Sequence, residues 1–347
     1  MEDFLKRGQD MKKSDASLIS RLMALMLFAV LCLGMPGAAI AQGTEAGVGP
    51  VIERIDPYVV KADVRAYLSE DEIDLYRKLV DAVFAREKRV TLSKDYDANL
   101  RVFGALKGNP YFFFVKKLEF TGDHSAVTLS YAYTEEEQRE MRAFMDEEYL
   151  RLLREIVRPE MNELEKTLSV YRYFARRIEY DYEWLEGLNL SDERFLYPEI
   201  EIYQALKTNR GVCHSYTYLC EFALQQLGVE CLRFSGQMAD RDEGHMWLVV
   251  RIDGAYYHCD PTWDRGDGQV GLNYLGMTDQ ERRDSGVVNF ETCYDQAYGE
   301  IRCDSDAFSV FRGVQDFSFP EDGTPHRIVL TYADHTAQYD TESMKIA

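Results

Sequence analysis

The sequence is poor in basic residues. Its 347 residues include 40 lysines and arginines against 60 aspartates and glutamates, which gives a net charge of −20. Nucleic acids and anionic membrane surfaces are bound through clustered lysine and arginine. The composition therefore predicts that neither of them is a partner.

The sequence also lacks, near its N-terminus, an apolar run long enough to cross a bilayer. The run Leu22–Leu33 has 12 residues, whereas a spanning helix needs about 20. Lys12, Lys13 and Arg21 precede the run, and Ala39-Ile40-Ala41 follows it with small residues at both ends. This pattern is typical of a secretory signal peptide, which we predict over residues 1–41 with removal near Ala41.

No lipidation signal surrounds Cys32, because Leu31 stands where such a signal has a small residue. The sequence therefore predicts a secreted or extracytoplasmic protein without a stable membrane anchor.

Cysteines are few, and six of the seven follow residue 41. That number is too small for the disulfide framework of small secreted proteins. On one helix Cys213 and Cys220 would lie about 10 Å apart along the axis, too far for a disulfide bond. Cys293 and Cys303 form the pair that is easiest to bridge, although their spacing does not establish a bond.

The first half of the chain predicts an α+β region over residues 42–150. A Gly-rich linker over 42–57 is followed by a helix over 69–88, with Ser69 as its N-cap and Glu72 three residues later. Residues 111–120 and 126–133 are predicted as strands that a turn joins. Two further helices are predicted, over 135–158 and 161–178.

The segment NRGVCHSYTYLCEFALQQLGV (209–229) predicts a helix that Gly228 ends. Cys213 falls in the first turn of this helix, where unpaired N–H groups and the helix dipole favour a thiolate. Its backbone N–H is also placed to hold an oxyanion. The alternative is a small buried residue, since free cysteine is commonly buried.

The segment GHMWLVVRIDGAYYHCDPTWD (244–264) predicts a hairpin that turns at Asp253-Gly254. In the register of a two-residue loop Ile252 faces Ala255, and His245 becomes a diagonal neighbour of Asp260. A thiol needs a base and the base needs a carboxylate, roles that His245 and Asp260 would fill for Cys213. Taken singly, His245 could be a structural histidine and Asp260 a turn residue.

Other candidates are weaker. His258 shares a face with Asp260 but is predicted to lie deeper, opposite Val249. A zinc site formed by Cys213, His214, His258 and Cys259 lacks the ligand spacing of such sites. Residues 264–268 (DRGDG) do not complete a calcium loop. We therefore predict neither a metal nor a cofactor.

Three blocks of the sequence resemble the transglutaminase-like core of many secreted bacterial proteins. They are the cysteine segment, the hairpin segment and the upstream elements IEYDY (178–182) and YQAL (203–206). The resemblance covers residues 161–276. It implies an α+β, papain-like fold in which a nucleophile helix packs on an antiparallel sheet. Cys213 would be the nucleophile, His245 the base and Asp260 the orienting carboxylate. Tyr203 and Gln204 are guesses for completing the oxyanion hole.

We accordingly expect a transglutaminase-like catalytic core over 151–290, preceded by the α+β region and followed by a β-rich extension over 291–347. The implied activity is acyl transfer through a thioester on a protein or peptide substrate, including cell-wall peptide, by a protease, an amidase or a transglutaminase. The alternative is a non-catalytic scaffold that binds cell-surface protein or cell-wall ligands, because a fold alone does not certify an activity.

Overall fold

The computed structural model describes residues 52–59, 65, 68–106, 109–186, 200–266, 268–292 and 301–347. The predicted signal peptide and Cys293 lie outside these residues, while Cys303 carries a free thiol. Described residues from 52 to 239 and from 243 to 347 belong to one compact unit.

The α-helices of the described residues are α1 (Glu70–Phe84), α2 (Tyr96–Leu106), α3 (Glu135–Ile156), α4 (Glu163–Arg177), α5 (Tyr182–Glu186), α6 (Ile200–Thr208), α7 (Cys213–Gln226) and α8 (Asp279–Asp284). The strands are β1 (Arg89–Thr91), β2 (Val115–Phe120), β3 (Ala126–Tyr131), β4 (Glu179–Tyr180), β5 (Arg210–Gly211), β6 (Cys231–Met238), β7 (Gly244–Ile252), β8 (Ala255–Cys259), β9 (Leu275–Met277), β10 (Val287–Thr292), β11 (Asp316–Ser318), β12 (Arg327–Thr331), β13 (Thr336–Asp340) and β14 (Lys345–Ile346). Among these elements no helix is long and apolar enough to span a bilayer.

A five-stranded antiparallel sheet with the order β10-β6-β7-β8-β9 forms the centre of the fold. Helix α7 packs on β7 and β6, and α4 packs against α7. The protein therefore has the predicted α+β class, with the helix that carries Cys213 lying on the sheet that carries His245.

The turn between β7 and β8 has the predicted register. Ile252 pairs with Ala255, and the ladder continues to Leu248 and Cys259. Asp253 and Gly254 both have positive φ, 49° and 81°, as a type I′ turn requires. This two-residue loop sets which side chains of the two strands share a face.

Both faces of this hairpin are buried. Leu248 and Val250 belong to the main core. Trp247 and Val249, on the other face, form a second core with residues of β6 and β10, among them Leu232 and Val287. The face that carries His245 is therefore covered by protein along most of its length.

Most predicted helices and strands are present, with one clear exception. Helix α1 has the predicted capping box between Ser69 and Glu72. Residues 111–114, predicted as the start of a strand, instead belong to a 3₁₀ helix, Pro110–Phe114. Pro110 stands at its start, and the Asn109 side chain accepts a hydrogen bond from the Tyr111 N–H, so local capping outweighs the β-propensity of the aromatic run.

The flanking regions each contain a small antiparallel sheet. The N-terminal sheet has the order β1-β3-β2 and the C-terminal sheet the order β11-β12-β13-β14. The rings of Tyr111 and Phe222 pack edge to face, with their centroids 5.9 Å apart. The N-terminal region therefore contacts α7 directly. The boundaries at residues 150 and 290 stay predictions.

Replacing Asp253 by valine should destabilise the protein by about 1–2 kcal/mol, because a β-branched residue is strained at positive φ. Asp253→Asn should be nearly neutral, since asparagine tolerates this conformation. Urea unfolding curves of the two variants measure the difference. Equal midpoints would contradict the assigned turn.

Candidate active site

Helix α7 begins at Cys213 because the preceding residue is extended and its N–H is hydrogen-bonded to a side chain of the first helical turn. Val212 has φ −113° and ψ −174°, and the Ser215 hydroxyl accepts a hydrogen bond from its N–H. The preceding strand β5 is held by a parallel pairing with β4. Cys213 therefore lies in the first helical turn, half-buried, at the positive end of the helix dipole.

His245 and Asp260 come together as the hairpin predicts. His245 Nε2 lies 2.6 Å from Asp260 Oδ2. Because Nε2 is engaged by the carboxylate, Nδ1 is the ring nitrogen left for the hydrogen bond between His245 and the Cys213 thiol. The structure thus brings together all three residues predicted for the site.

The charges of Cys213 and His245 stabilise one another. Burial disfavours the thiolate, but hydrogen bonds from His214 and His245 outweigh it and lower the pKa of Cys213 to about 6. Burial likewise disfavours the imidazolium, but Asp260 and Cys213 raise the pKa of His245 to about 9. Between these values the pair is a thiolate and an imidazolium, and the two titrations belong to the pair.

Asp260 is completely buried. Burial opposes its charge, yet His245 and Arg282 together hold the pKa of this carboxyl well below its usual range. Arg282 donates to Asp260 Oδ2 at 2.8 Å, and the Thr262 N–H donates to Oδ1 at 3.1 Å. The carboxylate is therefore ionised and fixed from both oxygens.

Two indole rings enclose the imidazole. The His245 ring lies nearly parallel to Trp263, with centroids 4.5 Å apart, and to Trp247 at 5.7 Å. Opposite His245 on β6 stands Gly236, where any side chain would collide with Val287, Phe290 and Trp247. The ring stack therefore fixes the plane of His245.

Sequence reasoning missed several groups around the thiol. His214, the next residue, hydrogen-bonds the Cys213 sulfur. The hydroxyl of Tyr180 on β4 accepts a hydrogen bond from the Cys213 N–H. Tyr203, one guess for the oxyanion hole, packs on Phe144. Tyr180 is therefore the side chain next to the N–H that an oxyanion would use. The only sequence signal for Tyr180 was its position in the block IEYDY (178–182).

A second histidine and carboxylate pair lies behind the site. His258, Asp279 and Cys303 have ligand atoms within 4.8 Å of one another, as a metal site would. However, Trp247 donates its indole N–H to His258 Nδ1 at 2.8 Å. The His258 proton is then on Nε2, which lies 2.9 Å from Asp279 Oδ1. A metal at Nε2 would displace this proton and leave His258 as an imidazolate, because Trp247 keeps Nδ1 unprotonated, so we assign a hydrogen-bonded pair.

The order of these residues agrees with a comparison to protein families. Residues 151–261 match the model of the transglutaminase-like superfamily. No curated protein matches the chain at a significant level.

Two solved structures show weak likeness. One is described as a putative cysteine protease from Cytophaga hutchinsonii, with 15% identity, a TM-score of 0.27 and coverage of 45% of this chain and 44% of that one. The other is described as a TGase, with 15% identity, a TM-score of 0.29 and coverage of 50% of each chain. The present chain thus spans about half of each protein, and TM-scores this low add nothing to the family match.

Iodoacetamide should label Cys213 before the other described thiols, because burial raises the pKa of Cys220, Cys259 and Cys303. Only the thiolate reacts, so labelling of Cys213 should rise with a midpoint near pH 6. Substoichiometric reagent across a pH series, followed by peptide mapping, measures this order. First labelling at Cys303 would refute the assignment.

Proposed function

We propose, from the match of residues 151–261 to the transglutaminase-like superfamily, that the protein is a cysteine-dependent acyl-transfer enzyme. It acts on peptide or carboxamide bonds through a thioester on Cys213. The observation that carries the proposal is the hydrogen-bonded series Cys213, His245 and Asp260, in which the thiol has a lowered and the imidazole a raised pKa.

The reaction follows from the charges of this series. The Cys213 thiolate attacks the carbonyl carbon, and the carbonyl oxygen becomes an oxyanion near the Cys213 N–H. The imidazolium of His245 gives its proton to the leaving nitrogen as the C–N bond breaks, which leaves a thioester and a neutral imidazole. Asp260 remains ionised throughout and holds the His245 ring in place.

The second half of the reaction depends on the acceptor. Neutral His245 takes a proton from an incoming water or amine, which attacks the thioester and releases Cys213. Water gives a protease or amidase, and an amine gives a transglutaminase. Hydrolysis is the outcome that we propose.

The proposed substrate is a protein or peptide outside the cytoplasm, including cell-wall peptide. The support for export is the basic and apolar pattern of residues 1–41, and the support for a protein substrate is the family. The shortage of basic residues supports the expectation that nucleic acid is not a partner.

The rival proposal is a scaffold that binds cell-surface protein or cell-wall ligands. Its support is the generality of such folds, which occur with and without activity. A scaffold has no use for a buried ionised carboxylate behind a low-pKa thiol, and this favours the enzyme.

Cys213→Ala and His245→Ala should each reduce turnover by several orders of magnitude, as removal of a nucleophile or its base does. Asp260→Ala should be less severe in turnover, because an unsupported imidazole still accepts protons occasionally. Cys220→Ala, which removes a buried thiol from the same helix, serves as the control. Unchanged activity and ligand binding in all of these variants, with unchanged stability, would support the scaffold.

A casein-type substrate with a labelled primary amine should separate the two acceptors. Peptide fragments without incorporated label are expected, because we propose water as the acceptor. Mass spectrometry of the products detects both outcomes, and Cys213→Ala is the blank. Label incorporated into intact substrate would overturn hydrolysis and establish cross-linking.

A further inference from the structure

Arg282 is fully buried although arginine is almost never fully buried unless it is paired. Its Nη2 donates to Asp260 Oδ2 at 2.8 Å. Among the described residues neither its Nε nor its Nη1 has a hydrogen-bond partner. Instead, the guanidinium carbon lies 4.2 Å from the ring centroid of Trp247 and 4.4 Å from that of Trp263. The cation is therefore held by one carboxylate and two indole faces.

The position of Arg282 comes from a short, well-capped helix. Thr278 and Glu281 form a capping box at the start of α8. Glu281 also accepts a hydrogen bond from Arg312 at 2.9 Å. The neighbouring Arg283 is exposed and lies against Phe290. Two adjacent arginines on one helix thus have opposite environments.

The formal charges of the site sum to zero only when Arg282 is included. In the reactive form Cys213 is negative, His245 positive and Asp260 negative, which leaves one net negative charge. Arg282 cancels it and makes the set of four neutral. A neutral set is far less costly to bury than one with an uncompensated charge.

Resting on the proposed function, we propose that Arg282 is a positioning residue of the reaction. Its positive charge neutralises the buried Cys213–His245–Asp260 set, while the hydrogen bonds to His245 and from the Thr262 N–H hold Asp260 in place. Arg282 acts through Asp260, without touching the substrate.

An electrostatic role and a purely structural role of Arg282 predict different changes in the pKa values of Cys213 and His245. Loss of its positive charge makes the thiolate harder to form and the imidazolium easier to keep, so the pKa of Cys213 and that of His245 both rise. A purely structural role would let Asp260 move away from His245. The pKa of His245 would then fall while that of Cys213 rose, because the thiolate would lose its imidazolium partner.

Other titratable and charged groups face this set and remain in place in the variants. They are His214 and Tyr180 beside Cys213, Glu243 near Tyr180, Tyr171, Cys220 and Cys259 near Asp260, and His258, Asp264, Tyr274 and Asp279 around Arg282 and Asp260. They act equally in all variants, so differences between variants report the side chain at position 282.

The test compares Arg282→Met, which keeps length but loses charge, with Arg282→Lys, which keeps charge. The full chain is alkylated with iodoacetamide over a pH series, and the His245 ring is titrated by NMR of labelled histidine, with His245→Ala assigning its signal. For Arg282→Met we expect both midpoints to move up by roughly one pH unit. Arg282→Lys and the control Arg283→Met should keep both midpoints near those of the wild type.

Equal midpoints in Arg282→Met and wild type, or a downward shift of the His245 midpoint, would overturn the proposal. If Arg282→Met does not fold, the comparison is made in the Asp260→Asn background, where no carboxylate is left unpaired. Adding Arg282→Met there should still raise the Cys213 midpoint, and an unchanged midpoint would overturn the proposal equally. Neither measurement needs a substrate, so failure of the proposed enzymatic function is detected separately by turnover.

Discussion

The buried carboxylate of Asp260 is the constraint on which the site depends. An ionised group without solvent must be paired and hydrogen-bonded, and breaking such a pair costs about 3–5 kcal/mol. Asp260 satisfies this requirement with His245, Arg282 and the Thr262 N–H. The imidazole is thereby made basic, and the basic imidazole in turn makes the Cys213 thiol acidic. The reactivity of the half-buried Cys213 sulfur thus depends on the carboxylate of Asp260, which is not accessible to solvent.

The parts of the chain beyond the hairpin serve this arrangement. Helix α8 delivers Arg282, and Arg312 fixes α8 through Glu281 and also donates to the Leu272 and Leu275 carbonyls. The region after residue 291 is therefore connected to α8 by hydrogen bonds of Arg312 and by the hydrogen bond that the Asp279 N–H donates to the Cys303 carbonyl. The second core around Trp247 and Val249 excludes water from the same side. The family match ends at residue 261. It therefore does not include Thr262 and Arg282, which hydrogen-bond the Asp260 carboxylate.

Local sequence signals were sufficient to predict the three central residues. An Asp-Gly turn has a defined register, so the relation between His245 and Asp260 follows from alternation alone. The position of Cys213 follows equally from the helix signals around it. The placement of His258 opposite Val249 was confirmed by the same register. These predictions rest on neighbours within one hairpin or one helix, where spacing along the chain determines spacing in the fold.

Arg282 could not be predicted in the same way. It lies 22 residues from Asp260, on a helix whose sequence, DQERRD, indicates a charged and exposed element. Which of its two arginines faces the protein interior depends on the packing of α8 against β9 and β10. A helix of six residues is too short for a hydrophobic periodicity that would predict this orientation. The error at residues 111–114 has the opposite origin, since a local cap outweighed a pattern of strand propensity.

Burial in the site decreases from the carboxylate to the sulfur, and this order has a chemical reason. Asp260 and Arg282 are fully buried, His245 is 7% exposed and Cys213 is half-buried. Charges interact most strongly where water is absent, so the groups that tune reactivity lie deepest. The group that forms a covalent bond needs access to a substrate and therefore lies at the surface of the site. His245 stands between the two environments, with one ring nitrogen toward each, which is the position that a proton carrier requires.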